Sequence, residues 1–360
     1  MTVSGKIIIK LAFSVLFFVI LFSFVKGNEL VEVLKGIHWG YFILSVAVAP
    51  AVLVVSCLKW RLILVHGDKK APFGRLLRIY SIGYFFSNIL PSTVGGDVVR
   101  SFYGGNEIDD QVYAAISVFI ERFSGILFLL LLVVLMPLLQ PGLYREPPIL
   151  IAAVGGVVGL SLVALLVMVP SITVQLVMLG NWLTELAIRT LERLKITRIT
   201  GLAERFENLV KFVAVKAEKV SYRLDKAWRT MSTDKVFLVK LFLFTLVFYL
   251  LAIFNVFLSF KAFGVEVDLL LVCILVPAAM FFAHLPVTIL GNLGYFESIF
   301  VVFFLIAGVP PAESLVMGLL LRLKMFMLGI VGMIFYFTFA GGSRKKPDGL
   351  SNVIKSAVGS

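Results

Sequence analysis

Cysteine, histidine and acid are scarce in this chain of 360 residues: two Cys, three His, and 21 Asp and Glu against 33 Lys and Arg. Cys57 and Cys273 lie far apart inside apolar runs without C-x-x-C spacing, which excludes a disulfide framework and reads as small core residues. No cluster of His, Cys and Asp has metal-ligand spacing, so neither a metal nor another cofactor is expected. There is no G-x-x-x-x-G-K-[ST] loop, which excludes an ATP-driven pump within the chain. No G-x-S-x-G or comparable nucleophile setting appears, and the expectation is that the protein is not an enzyme. Sustained period-2 alternation is missing too, which argues against an outer-membrane barrel.

What is there is apolar. Sixty per cent of residues are hydrophobic and the mean hydropathy is +1.03. A soluble domain of this size could not cover that much apolar surface. Apolar runs at about 7–25, 40–58, 112–137, 149–169, 236–260 and 312–338 are each long enough for ~30 Å of hydrocarbon at ~1.5 Å per residue. The run at 7–25 follows Lys6 and Lys10, and no small-residue cleavage site comes after it, so it reads as a retained first helix. The fold class expected is all-α: a polytopic inner-membrane helical bundle.

Two segments, about 76–110 and 269–307, fit less simply. Each is apolar for some 14 residues and is then broken by a polar turn. The turns are L-P-S-T-V-G-G-D at 90–97 and L-P-V-T-I-L-G-N at 285–292, an offset of 195 residues. Fourteen apolar residues are short for a span, so each segment is expected to be a re-entrant hairpin of broken helices. The charges agree. With the N-terminus, 59–78, 98–110, 170–235 and the tail from 341 in the cytoplasm, those segments hold 25 Lys and Arg, and the outer segments hold four. That bias requires each hairpin to return to the side it came from. The result is two span–hairpin–span copies of opposite orientation, repeat A at about 40–137 and repeat B at about 236–338. Inverted repeats whose broken helices meet near the midplane are a recurrent transporter plan.

Residues 1–340 are thus expected to form one transmembrane domain, with a cytoplasmic insert at about 170–235 and a cytoplasmic tail at 341–360. Leu202, Phe206, Leu209, Val213, Ala217, Val220, Leu224 and Trp228 recur at helical spacing in the insert. This describes amphipathic helices that lie on the inner membrane face or pack on the bundle. The net charge of +12 suits basic loops at an anionic leaflet. No nucleic-acid-binding motif is present.

The polar residues at the breaks can carry chemistry. Pro91 and Pro286 stop the preceding half-helix. Gly95, Gly96 and Gly291 permit a sharp turn and close backbone approach. Asp97 and Asn292 are placed to cap the half-helix that follows, whose free N–H groups favour an anion such as phosphate. Thr93 and Thr288 add hydroxyls, and Asn88 lies just before the first turn. Arg100, one helical turn after Asp97, fits either a headgroup contact or a salt bridge at the cytoplasmic rim. Glu121, Arg122, Arg322 and Lys324 fall within spans, where each charge costs ~2.5–3.5 kcal/mol and needs a counter-charge. For the basic residues an internal carboxylate, Asp97 or Glu297, would serve, and so would a lipid phosphate. Asp97, His284 and Glu297 are the candidates for proton coupling.

The run from Asn88 to Tyr103, N-I-L-P-S-T-V-G-G-D-V-V-R-S-F-Y, resembles the first signature of the flippase-like family named for the transmembrane region of lysylphosphatidylglycerol synthase. Glu121-Arg122-Phe123 resembles its intramembrane E-R element. Leu285 to Ser298, followed by Gly308-Val309, resembles its second signature. The similarity extends over roughly residues 7–340. Family members usually show G-G-x-G-x-R-E in the second signature. Here the sequence is Gly291-Asn292-Leu293-Gly294-Tyr295-Phe296-Glu297, without the Gly pair or the Arg, which leaves Arg322 or Lys324 to supply the charge.

The resemblance implies lipid translocation between leaflets of the inner membrane, in a stand-alone member without the lysyl-transferase domain that some members carry. The expected cargo is an anionic phospholipid, glycolipid or polyprenyl-phosphate lipid, with its headgroup between the two turns. The alternative is an adaptor that binds such a lipid and supplies a separate lipid-modifying enzyme or glycosyltransferase.

Overall fold

The computed structural model describes residues 32–90, 95–168, 233–285 and 292–342. Among these residues the fold is all-α, with no strand. Helix α1 spans Trp39–His66, α2 Phe73–Ile89, α3 Gly95–Ile108, α4 Gln111–Leu135 and α5 Pro147–Met168. Helix α6 spans Lys235–Ala262, α7 Leu269–Ala283, α8 Tyr295–Ile306 and α9 Pro311–Gly342. The expected first span at 7–25, most of the 170–235 insert and nearly all of the 341–360 tail lie outside the described residues.

Five described helices are long and apolar enough to cross a membrane: α1, α4 extended to Leu139, α5, α6 and α9. They bear out the spans expected at 40–58, 112–137, 149–169, 236–260 and 312–338. The main difference is at the end of α1, which runs on to His66 rather than stopping before Lys59. At that end the Gly67 N–H reaches Ile63 O at 3.3 Å and Leu64 O at 3.1 Å. Local chemistry sets other ends as well. The Tyr113 N–H donates to Asp110 Oδ1 at 2.9 Å at the start of α4, and the Leu270 N–H to Asp268 Oδ1 at 3.2 Å at the start of α7.

Both awkward segments are pairs of short helices. Helices α2 and α3 have 17 and 14 residues, and α7 and α8 have 15 and 12. None reaches the ~20 residues of a full span. Within each pair the two helices pack on each other. The chain therefore runs long–short–short–long twice, as α1 to α4 and again as α6 to α9, and both runs open with a helix of 28 residues.

Packing between the runs is reciprocal. Helix α1 lies against α6, α2 lies against α9, and α7 lies against α4. There are two apolar cores. One gathers Trp60, Leu64, Leu76, Ile79, Val99 and Val118 from the first run. The other gathers Phe260, Ile274, Leu275, Phe300, Phe304 and Met317 from the second, joined by Phe128 of α4. Outward residues such as Ile151, Val239, Phe242, Ile330 and Phe337 are exposed and apolar. On a soluble protein this much exposed apolar surface would be a liability, but lipid solvates it.

The chain divides into two compact units, residues 1–156 with 235–360, and residues 157–234. Both four-helix runs belong to the first. Of the second, the described part is the end of α5 and residues 233–234.

Candidate functional site

Asp97 is the third residue of α3. It was expected to cap that helix, but the helix already begins at Gly95, so its carboxylate stands inside the first turn. It accepts the Arg122 Nε–H at 3.1 Å and faces Arg100 Nη2 at 3.4 Å. Arg100 donates more closely to Glu121 Oε2, at 2.6 Å. Its guanidinium lies over the Tyr80 ring at 4.6 Å and the Trp60 ring at 5.2 Å. Lys59 Nζ completes the group, 3.7 Å from Glu121 Oε1. Three cations thus meet two carboxylates, and one positive charge is left over.

Exposure separates these residues by role. Arg100 is 2% exposed, and of its two expected roles the structure shows the salt bridge: it is a buried strut with Glu121 at its end. Arg122, by contrast, keeps 48% of its side-chain surface exposed, although it is the twelfth residue of a 25-residue apolar helix. A guanidinium at that depth rests against hydrocarbon only at a cost, which polar surroundings relieve.

The glycines of the first break allow close packing. A Cβ on Gly96 would lie 2.2 Å from the Gly83 carbonyl oxygen and 1.9 Å from Ser87 Oγ. Only bare backbone lets α3 approach α2 this closely. A Cβ on Gly95 would strike the Leu90 side chain at 2.4 Å. Asn88, near the end of α2, donates through Nδ2 to Met325 O at 3.1 Å and so ties α2 to α9.

The second run builds a tighter version. Glu297 is the third residue of α8 and is fully buried. Its Oε2 accepts the Gly294 N–H at 2.8 Å, and its Oε1 accepts the Arg322 Nε–H at 2.7 Å. Arg322 Nη2 also donates to Asn292 O at 3.3 Å, and its guanidinium lies 5.0 Å over the Phe296 ring. Arg322 is only 4% exposed.

Asn292 does not cap α8 as expected; Gly294 stands at that position. Instead the Asn292 amide turns back and donates to Ala283 O at 2.9 Å and Leu285 O at 2.7 Å, satisfying carbonyls at the end of α7. This requires left-handed backbone, with φ of 62° at Asn292, followed by 83° at Gly294. Asparagine tolerates that region better than most residues.

Residues of both runs come together around Arg122. Tyr84 of α2 is within electrostatic range of Arg122 and Arg322 alike. His284, exposed at the end of α7, feels Arg122 as well, and its Nδ1 lies 2.6 Å from Met280 O. Tyr249 of α6 donates to Gly125 O of α4 at 2.9 Å. Lys324 is placed elsewhere. It projects from the other side of α9 and donates to Asn255 Oδ1 at 2.5 Å and Ser259 Oγ at 2.8 Å, both on α6. Thr93, Thr288 and Gly291, with Pro91 and Pro286, lie outside the described residues.

Sequence reasoning passed over Lys59, Tyr84, Asn255 and Ser259. Lys59 was assigned to a basic loop, although the apolar run resumes after Arg61 and carries the helix on for another turn and a half. For the other three no local signal exists, because their neighbours are on distant helices.

A family model described as the lysylphosphatidylglycerol synthase TM region matches residues 7–332. A UPF0104 membrane protein of Methanothermobacter thermautotrophicus is 23% identical over 338 residues, covering 91% of this chain and 92% of that protein. No solved structure matches the chain.

Proposed function

The chain belongs to the lysylphosphatidylglycerol synthase transmembrane-region family, and on that footing we propose that it moves an anionic lipid between the leaflets of the cytoplasmic membrane. The observation that carries this reading is the half-exposed Arg122 at mid-helix, beside a buried cluster with one surplus positive charge. Asp97 takes the Nε–H of Arg122. Arginine has four further N–H donors in a planar fork, which a phosphate headgroup can accept in pairs. Acyl chains would stay in the bilayer while the headgroup travels along a polar path.

The two four-helix runs would be inverted copies, each with its short pair re-entering the membrane. Their reciprocal packing supports this, because each run supplies the wall against which the other's first short helix rests. Movement of one run against the other would expose the headgroup site to each leaflet in turn. The bias of Lys and Arg supports a topology with both termini in the cytoplasm. In this reading the protein is a carrier, not an enzyme.

The test is lipid exchange in liposomes that hold only this protein, with headgroup-labelled anionic lipids. Wild type should speed exchange, and Arg122→Ala and Asp97→Ala should abolish the gain while still folding. If no lipid class exchanges yet lipid still binds through Arg122, the adaptor reading replaces transport, with a lipid-modifying enzyme or glycosyltransferase as recipient.

A further inference from the structure

Lys324 has surroundings unlike those of the other buried cations. Lys59 and Arg100 face Glu121, and Arg322 faces Glu297. Lys324, 3% exposed, has Asn255 Oδ1 and Ser259 Oγ instead, and both are neutral. Among the described residues no carboxylate approaches it within ion-pair distance. A charge at such depth costs ~2.5–3.5 kcal/mol, and among the described residues no acid offsets it.

The two neighbours can serve either protonation state. An asparagine amide presents an oxygen or an NH2, and a serine hydroxyl accepts or donates. As placed, both oxygens accept from the ammonium, and the Ser259 hydroxyl donates to Asn255 O at 2.5 Å. With the amide and hydroxyl rotated, the same pocket satisfies a neutral amine. A carboxylate in their place would hold the proton fast.

Other titratable groups on α9 and on the helices packed against it have other neighbours or lie turns away. Glu297 of α8 holds Arg322. On α2, Arg78 lies over Phe335, Tyr80 lies under Arg100, and Tyr84 stands in range of Arg122 and Arg322. On α1, Lys59 faces Glu121 and His66 stacks on Phe237. On α6, Tyr249 bonds Gly125 O and Lys261 pairs with Glu266, while Lys240 stands about four turns before Asn255. On α9 itself, Glu313 is about three turns before Lys324.

We propose that Lys324 is a proton-carrying group that couples lipid movement to proton transfer. This rests on the transport reading above. When the contact between α6 and α9 opens to water, an Nζ–H bond breaks, the electron pair stays on nitrogen and the proton passes to a water molecule; the reverse step recharges the amine. Arg322 and Lys324 are two residues apart, about 200° around one helix, so a shift of α9 disturbs both at once.

The experiment uses the full chain in liposomes of neutral phospholipid with headgroup-labelled phosphatidylglycerol. Exchange is measured at equal pH on both sides and under an imposed pH gradient. The expected result is that the gradient shifts the final leaflet distribution for wild type, and that Lys324→Met and Lys324→Arg lose the shift. Wild-type exchange that ignores the gradient overturns the proposal and leaves transport standing. If no lipid exchanges, transport itself fails, and proton counting on the detergent-solubilised protein decides about Lys324. Release of about one more proton per chain across neutral pH from wild type than from Lys324→Arg sustains a titrating lysine; equal release overturns it.

Discussion

Arg322 donates its Nε–H to Glu297 Oε1 at 2.7 Å from 25 residues further along the chain. Arg122 donates its Nε–H to Asp97 Oδ1 at 3.1 Å across the same 25 residues. In both runs the acid is the third residue of the second short helix and the arginine is the twelfth of the long helix that follows. The correspondence is positional, but the environments differ: one pair is sealed and the other is open on one side.

The sealed pair should dominate stability. Glu297→Ala leaves a buried guanidinium without its counter-charge, at a cost of about 3–5 kcal/mol. Asp97→Ala should cost less, because Arg122 can turn its exposed face to water. Thermal unfolding in detergent should place Glu297→Ala well below Asp97→Ala. The double variant Glu297→Ala with Arg322→Met should recover part of the loss.

Gly96→Ala should force α2 and α3 apart, because the new methyl would meet backbone at Gly83. Overpacking of this kind costs about 1–3 kcal/mol. Gly74→Ala, on the same pair of helices, meets nothing within 4 Å and should be neutral or slightly stabilising. Unfolding midpoints of the two variants compare the sites directly.

Asn292 combines a left-handed backbone with two bonds to the end of α7. Asn292→Gly keeps the backbone and loses the bonds, at about 0.5–1.5 kcal/mol for each. Asn292→Ala adds roughly 1–2 kcal/mol of left-handed strain. Measured stability should therefore fall in the order wild type, glycine, alanine; a reversed order would mean the turn relaxes into another conformation.

The exposed face of Arg122 can be probed chemically. In a background where Cys57 and Cys273 are serine, Arg122→Cys should react quickly with a charged, water-soluble thiol reagent. Arg322→Cys should react at least tenfold more slowly. Reaction of Arg122→Cys with lipid-soluble reagents only would place that residue against lipid and remove the basis for a headgroup site.

Much of this architecture can be read from the residues. Apolar runs locate the described spans, because burial in hydrocarbon leaves a continuous signature about 20 residues long. The polar breaks locate the short pairs for the converse reason: a Pro and Gly turn interrupts that signature. Asp97, Arg122, Glu297 and Arg322 stand out as charges where charge is costly. Which of them pair, and which stays open, depends on how helices far apart in sequence come together. The end of α1 is different, because the apolar run resumes after Arg61 and marks the extra turn; what stays hidden is that Lys59 within it faces Glu121, 62 residues later. Asn255 illustrates the limit. A neutral amide in an apolar run gives no hint that a lysine 69 residues on will depend on it.

The bond from Asn88 to Met325 crosses 237 residues, and α2 finds its cover in α9. During synthesis the Asn88 side chain therefore lacks this partner until α9 has been made. The packing of the first run is completed only by the second. A chain that stops before α9 leaves the face of α2 that α9 covers without its cover.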